Sequence, residues 1–236
     1  MWQRSTTAIR QAPRKRATCW ALLRLSRTPA SMSAKHSSLI EIETPVLRPG
    51  SDGQTLFWMQ EHAFCVHLNL RGDSSSSVFS EAVRAVTGTA PPEHPNTCVS
   101  SEHCRLAWLG PDEWLLIGVH EDFGPAPLEE RLAPLHHALT ALSGGQTILR
   151  VGGENWRNVL ASACPFDLHP RVFGEGACAQ TVIAYTNVLL MPVEDPDRGE
   201  ALDIVVRRSF ADHLARWLMD AAAEDGFEFL SPVGSP

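Results

Sequence analysis

The sequence is short of several things at once: among 236 residues there is one tyrosine, and none of the six cysteines forms a C-x-x-C pair. Zinc ribbons and thioredoxin-like redox sites both need such close pairs. Cys19, Cys65, Cys98, Cys104, Cys164 and Cys178 are irregularly spaced and follow no secretion signal, so they read as reduced thiols. Cys98 with His103 and Cys104 comes nearest to a metal-ligand grouping, and reads better as unrelated residues on a loop and a strand edge. The early apolar stretch from Cys19 to Leu23 is broken by Arg24, too short for a signal-peptide core or a membrane span. Also missing are a G-x-S-x-G elbow, a Walker loop and an H-E-x-x-H helix, which leaves serine hydrolase, P-loop and zincin chemistry without a motif.

Charge is absent in one sign over the first 35 residues. Arg4, Arg10, Arg14, Lys15, Arg16, Arg24, Arg27 and Lys35 occur there with no Asp or Glu. Taking those eight from the 20 basic residues leaves 12 against 27 acidic ones, so the rest of the chain carries a net charge of about −15. An acidic body repels phosphate, which excludes nucleic acid and anionic membrane as expected partners. The head has the composition of a mitochondrial presequence; the other reading is that translation starts at Met32. Either way, residues 1–50 read as a head without regular packing, 51–230 as one α+β domain and 231–236 as a tail. With 44% hydrophobic and 20% charged residues, the composition is that of a globular domain that needs no disulfide or metal to hold its core.

Periodicity gives the elements. Phe64, Val66, Leu68 and Leu70 alternate as a half-buried strand, and Ser74 to Ser77 lead as loop and N-cap into Val78, Phe79, Ala82, Val83 and Val86 at helical spacing. Cys104, Leu106 and Trp108 alternate, Gly110 to Glu113 turn, and Trp114 to Val119 return as a hairpin. Leu128, Leu132, Leu135, Leu139 and Leu142 predict a helix kinked or late-starting at Pro134 and ended by Gly144 and Gly145. A strand at 147–151, a short helix over Trp156 to Ala163, strands at 178–185 and 188–191 with a turn at Thr186 and Asn187, and a strand at 203–207 follow. Ser209 with Asp212 predicts the cap of a final helix. The sum is a mixed, largely antiparallel α+β fold.

The candidate chemistry is thin. Gly174-Glu-Gly176-Ala-Cys-Ala179 fits a dinucleotide fingerprint in letters only, because a strand-like stretch follows where a helix is required. His136 and His137 are adjacent and cannot pinch one metal as an i, i+4 helical pair does. His67, on the polar side of its strand near Glu61, is a conceivable general base without a nucleophile. Trp108, Trp114, Trp156 and Trp217 read as core. Arg171 and the Arg207-Arg208 pair stand out as cations in an acidic body, suited either to solvation or to a subunit contact.

Four separated motifs carry a resemblance: Trp108-Leu-Gly-Pro-Asp-Glu-Trp-Leu-Leu116, Cys164-Pro-Phe-Asp-Leu-His-Pro-Arg171, its continuation to Thr181, and Val206-Arg-Arg-Ser-Phe210. In order and spacing, from about residue 55 to 223, they resemble the sarcosine oxidase gamma subunit family. The resemblance implies a fold similar to the folate-binding domain of the glycine-cleavage T-protein. It also implies a cytoplasmic, non-catalytic place in a heterotetramer with alpha, beta and delta subunits. In that family the partners carry FAD, FMN, NAD, tetrahydrofolate and zinc, and this chain none; the complex oxidises sarcosine to glycine with release of hydrogen peroxide, feeding one-carbon metabolism. That family is bacterial, which favours the start at Met32. A gamma-like subunit of a related N-methyl amine oxidase, and a free-standing folate-binding protein with a carboxylate for the pterin, remain as alternatives. No catalytic, cofactor or metal residue is transferred. The expected contact with the alpha subunit is the loop bearing His169, Arg171, Phe173, Gln180 and Thr181, with Arg207 and Arg208 near it.

Overall fold

Alternating apolar positions build two sheets, and each sheet buries one face under helices and the other against its fellow. The computed structural model describes residues 36–39, 41–42, 44–119 and 123–234. The head up to residue 35, including Met32, lies outside the described residues.

One sheet has seven strands in the order β1-β12-β2-β8-β11-β10-β9. These are β1 (Val46–Pro49), β2 (Phe57–His62), β8 (Gln146–Gly152), β9 (Ala179–Ile183), β10 (Thr186–Asp195), β11 (Gly199–Arg207) and β12 (Gly226–Val233). All its neighbours run antiparallel except β12 and β2, which are parallel. The second sheet runs β4-β5-β6-β3-β7, all antiparallel, from β3 (His67–Gly72), β4 (Cys98–Ser100), β5 (Cys104–Gly110), β6 (Glu113–Gly118) and β7 (His137–Ala141). The sheet thus reaches past both expected domain bounds, 51 and 230, through β1 and the end of β12.

Phe57, Met59, Leu149, Val151, Leu202 and Ile204 pack under α3 (Trp156–Ala161) and α4 (Arg208–Ala221). Leu68, Leu70, Leu106, Trp114 and Leu116 pack under α1 (Ser77–Thr87) and α2 (Ala126–Leu132). Ala107, Leu115 and Ile117 of one sheet meet Ile148, Leu189, Met191 and Val205 of the other. The layers are therefore helix, sheet, sheet, helix, and the architecture is the mixed α+β class read from the sequence. Trp114 is buried, with its indole N–H donating to the Pro92 carbonyl at 2.9 Å.

The serine run works as the sequence suggests. Ser76 caps α1 by accepting from the Phe79 N–H at 3.2 Å, and Gly88 closes it in the left-handed conformation. Ser76→Ala is expected to cost about 1 kcal/mol, read as a lower urea midpoint with an unchanged slope.

Four local expectations are corrected. The leucine stripe is not one helix: Pro134 lacks an N–H and its ring crowds the carbonyl four residues back, so α2 ends at Leu132 and Leu139 joins β7 opposite Leu70. The strand from Phe64 starts only at His67, because Phe64 sits in a turn at φ 63. The β9–β10 hairpin turns at Ala184 and Tyr185, both at positive φ, rather than at Thr186 and Asn187; burial of Ile183 and Thr186 on either side fixes it there. Ser209 is no cap: α4 begins from extended Arg207 with no side-chain cap bond, and Asp212 pairs instead with Arg216 one turn on.

Candidate functional site

The expected contact residues divide among three places. Gln180, Thr181 and Arg207 come together around a groove of about 530 Å³, beside Gln146, Asn187, Leu109, Leu142 and Val182. The groove opens where β9, the edge strand of the larger sheet, passes the end of β5, and Gln180 ties the two by donating to the Leu109 carbonyl at 2.9 Å. Arg207 is exposed, and among the described residues its guanidinium has no partner.

His169 and Arg171 are exposed on the irregular loop that the prolines and glycines demand. Arg171 does not pair with its neighbour Asp167. Asp167 accepts the His169 N–H at 2.9 Å, the His169 ring accepts the Arg171 N–H at 3.2 Å, and the Arg171 guanidinium stays without a partner among the described residues. Phe173 is a different matter: it is 2% exposed and stacks edge-on against Phe166 at 4.9 Å, so it anchors the loop from inside and has no surface to offer a partner.

Arg208 reaches the other way, donating to the His36 carbonyl at 2.5 Å and lying over the Phe64 ring. It helps pin residues 36–39. Leu39 is buried there, and Ser37 and Ser38 donate to Glu61, which also accepts from Thr147 Oγ1 at 2.8 Å. Glu61 is fully buried on the helix side of its sheet.

Between the sheets lies a charged cluster that the sequence reading missed. Asp203 of β11 is fully buried. Arg150 of β8 grips it with two bonds, Nε to Oδ1 at 2.7 Å and Nη2 to Oδ2 at 3.1 Å, and its Nη1 reaches Asp195 at 3.1 Å. Arg105 of β5 crosses from the other sheet, its Nη1 2.6 Å from Asp203 Oδ2. That approach lies off the line a hydrogen bond needs, so the contact is charge against charge. Burial alone would raise the Asp203 carboxyl, but the Arg105 and Arg150 guanidiniums outweigh it and hold the group below the usual carboxylate range. The available signal was an ion inside each of three apolar strands, at the parity that points away from the helices.

His67 corrects a further expectation. It is fully buried between the sheets, not on a polar face. Burial lowers it from 6.5 to about 4. His62 is lowered equally, by burial first and Arg150 second. Glu61 lies on the opposite face of its sheet, so no pair of general acid and base forms with His67. The glycines at 174 and 176 lead into β9, not a helix, and give no dinucleotide cradle. Cys104 faces the helix-side core while Cys98 packs between the sheets, and His136 and His137 stand at the start of a strand. Among the described residues the fully buried carboxylates are Glu61 and Asp203, and both are engaged within the chain. Among the described residues no group of three metal-ligating side chains converges, and no helix is long and apolar enough to cross a membrane.

The layered fold is found in a solved structure of distant sequence. The chain is similar to the glycine cleavage system aminomethyltransferase T from Bartonella henselae, with a TM-score of 0.60 over 84% of this chain and 60% of that one, at 14% identity. Within that fold the match narrows. The model of the sarcosine oxidase, gamma subunit family matches residues 71–224, and the chain belongs to this family. It is 32% identical over 70% of its length to the sarcosine oxidase subunit gamma of Corynebacterium sp. (strain P-1), covering 80% of that protein. It is 29% identical to the subunit from strain U-96, over 85% of this chain and 91% of the other. A chain of the solved heterotetrameric sarcosine oxidase from Corynebacterium sp. U-96, in complex with pyrrole 2-carboxylate, superposes with a TM-score of 0.69 at 28% identity, covering 80% of this chain and 95% of that one.

Proposed function

We propose that the chain is the non-catalytic gamma subunit of a heterotetrameric sarcosine oxidase, and that it docks on the alpha subunit through the groove at Gln180, Thr181 and Arg207 and through the exposed Arg171. The beta and delta subunits complete the complex, and FAD, FMN, NAD, tetrahydrofolate and zinc belong to the partners. The observation that carries this reading is the likeness across 95% of a chain of the solved heterotetramer. The docking residues rest on chemistry. Among the described residues Arg171 and Arg207 are exposed cations without an internal partner, in an acidic body, and a guanidinium suits a carboxylate or carbonyl on a facing chain.

The test is co-expression of the tagged chain with alpha, beta and delta subunits. The native chain is expected to bring all three down. The Arg171→Glu/Arg207→Glu double variant is expected to weaken alpha capture at least ~30-fold, since breaking buried charged contacts at an interface costs about 2–5 kcal/mol, while the melting temperature of the isolated chain moves by under about 2 °C, as for exposed charges. Unchanged capture would remove the docking assignment, and no capture by the native chain would remove the subunit reading itself.

A further inference from the structure

A second cavity, of about 370 Å³, lies at the opposite end of the inter-sheet layer from the Arg207 groove and shares no lining residue with it. The apolar part of its lining is Ile117, Val119, Ile148, Met191, Pro192 and Val193, with the Cys65 and Cys98 thiols. The polar groups are His62, Arg105, Arg150 and Ser100, and Glu175 and Glu194 stand exposed at the mouth. A space of this size holds a small organic molecule.

Two polar groups in it are incompletely satisfied. Arg150 uses its donors on Asp203 and Asp195, but Arg105 makes only the Asp203 contact among the described residues and keeps further N–H groups free. The His62 Nε2 is buried without a partner. A buried donor without an acceptor is costly, and a ligand that supplies the acceptor recovers that cost. From this geometry we infer that the cavity binds a small monocarboxylate, its carboxyl accepting from Arg105 and from the Nε2–H of His62 and its apolar body lying against Met191, Pro192 and Val193. Inside the cavity the Arg105 and Arg150 guanidiniums are matched by Asp203 and Asp195, so the carboxylate is drawn by the free N–H groups and not by an excess of positive charge. The acids at the mouth set the charge limit: a dianion such as a phosphate ester is repelled where a monoanion is tolerated.

The probe is benzoate, with benzamide as its neutral isostere and phenyl phosphate as the dianion, added to the full chain. Benzoate at millimolar concentration is expected to raise the melting temperature by ~2–4 °C and to slow N-ethylmaleimide labelling of Cys65 several-fold by peptide mass mapping, with neither effect from the other two. Arg105→Met is expected to abolish both effects. Because that change also touches Asp203, Ser100→Trp serves as a second variant: it closes the cavity from an exposed edge-strand position, leaves the ion pairs intact, and should abolish them too. Equal effects of benzoate and benzamide, or a benzoate effect surviving in both variants, would overturn the proposal. A melting shift without Cys65 shielding would place the carboxylate elsewhere and overturn it as well.

Discussion

Asp203→Ala is expected to lower the unfolding free energy by about 3–5 kcal/mol, because it leaves two guanidiniums largely buried with their shared counter-charge gone. The carboxylate is fully buried and joins both sheets, taking Arg150 from its own sheet and Arg105 from the other. Domains of this size are stable by about 5–15 kcal/mol in total, so this one change removes a large share. Asp203→Asn keeps the shape and one acceptor but not the charge, and falls between. Urea unfolding followed by tryptophan fluorescence measures both. A loss below about 1 kcal/mol, the level of an exposed pair, would mean that water reaches the cluster and screens it.

The second large effect is acid destabilisation that starts well above the carboxylate range. His62 and His67 are each held near 4 by burial, against 6.5 for a free imidazole. Below pH 6.5 the unfolded chain binds two protons that the folded chain refuses, so stability is complete above 6.5 and falls as pH drops towards 4. The slope approaches about 2.7 kcal/mol per pH unit for the pair, and the full loss is about 3 kcal/mol for each histidine. Asp203 acts in the same direction lower down: its folded carboxyl lies below the ordinary 3.8, and its contribution is lost only as pH falls through that depressed value. A plot of unfolding free energy against pH should therefore begin to bend near 6.5. His67→Gln, which removes a titrating group from the interior, should make the upper part shallower by about half. A flat profile between pH 6.5 and 5 would show that the imidazoles reach solvent in the folded state.

What the sequence revealed, and what it hid, follows from the range of the forces concerned. The Cys104 hairpin, the serine cap of α1 and the short α3 are written in neighbouring residues, and alternation or capping chemistry over ten positions was enough to find them. The leucines at 135 and 139 misled because helical spacing and a strand beyond a proline give the same letters; only the pairing of Leu139 with Leu70 decides. Strands β1 and β12 are short of local signal and owe their form to each other across about 180 residues of sequence. Arg171 and Arg207 are exposed, as expected of cations beside structured segments of an acidic body. Phe173 could not be sorted by the same means, since an aromatic ring in a glycine-rich loop fits a core or a contact equally until Phe166 is seen beside it. The Arg105–Asp203–Arg150 cluster was hidden for the same reason: each member sits in a different strand, Arg150 meets Asp203 only through the pairing of β8 with β11, and Arg105 reaches it only through the stacking of the sheets.

The parallel pairing of β12 with β2 also sets an order of events during synthesis. Phe57, Trp58 and Met59 emerge early and find β8 on one side about 90 residues later, but their other side stays unpaired until residues 226–233 have been made. An apolar strand with one open edge is a template for pairing with the wrong chain. Chains cut or stalled before Gly226 would therefore display that edge, with Phe57 and Met59 in it, to every other nascent copy. Deletion of residues 226–233 is expected to favour self-association of the chain through β2.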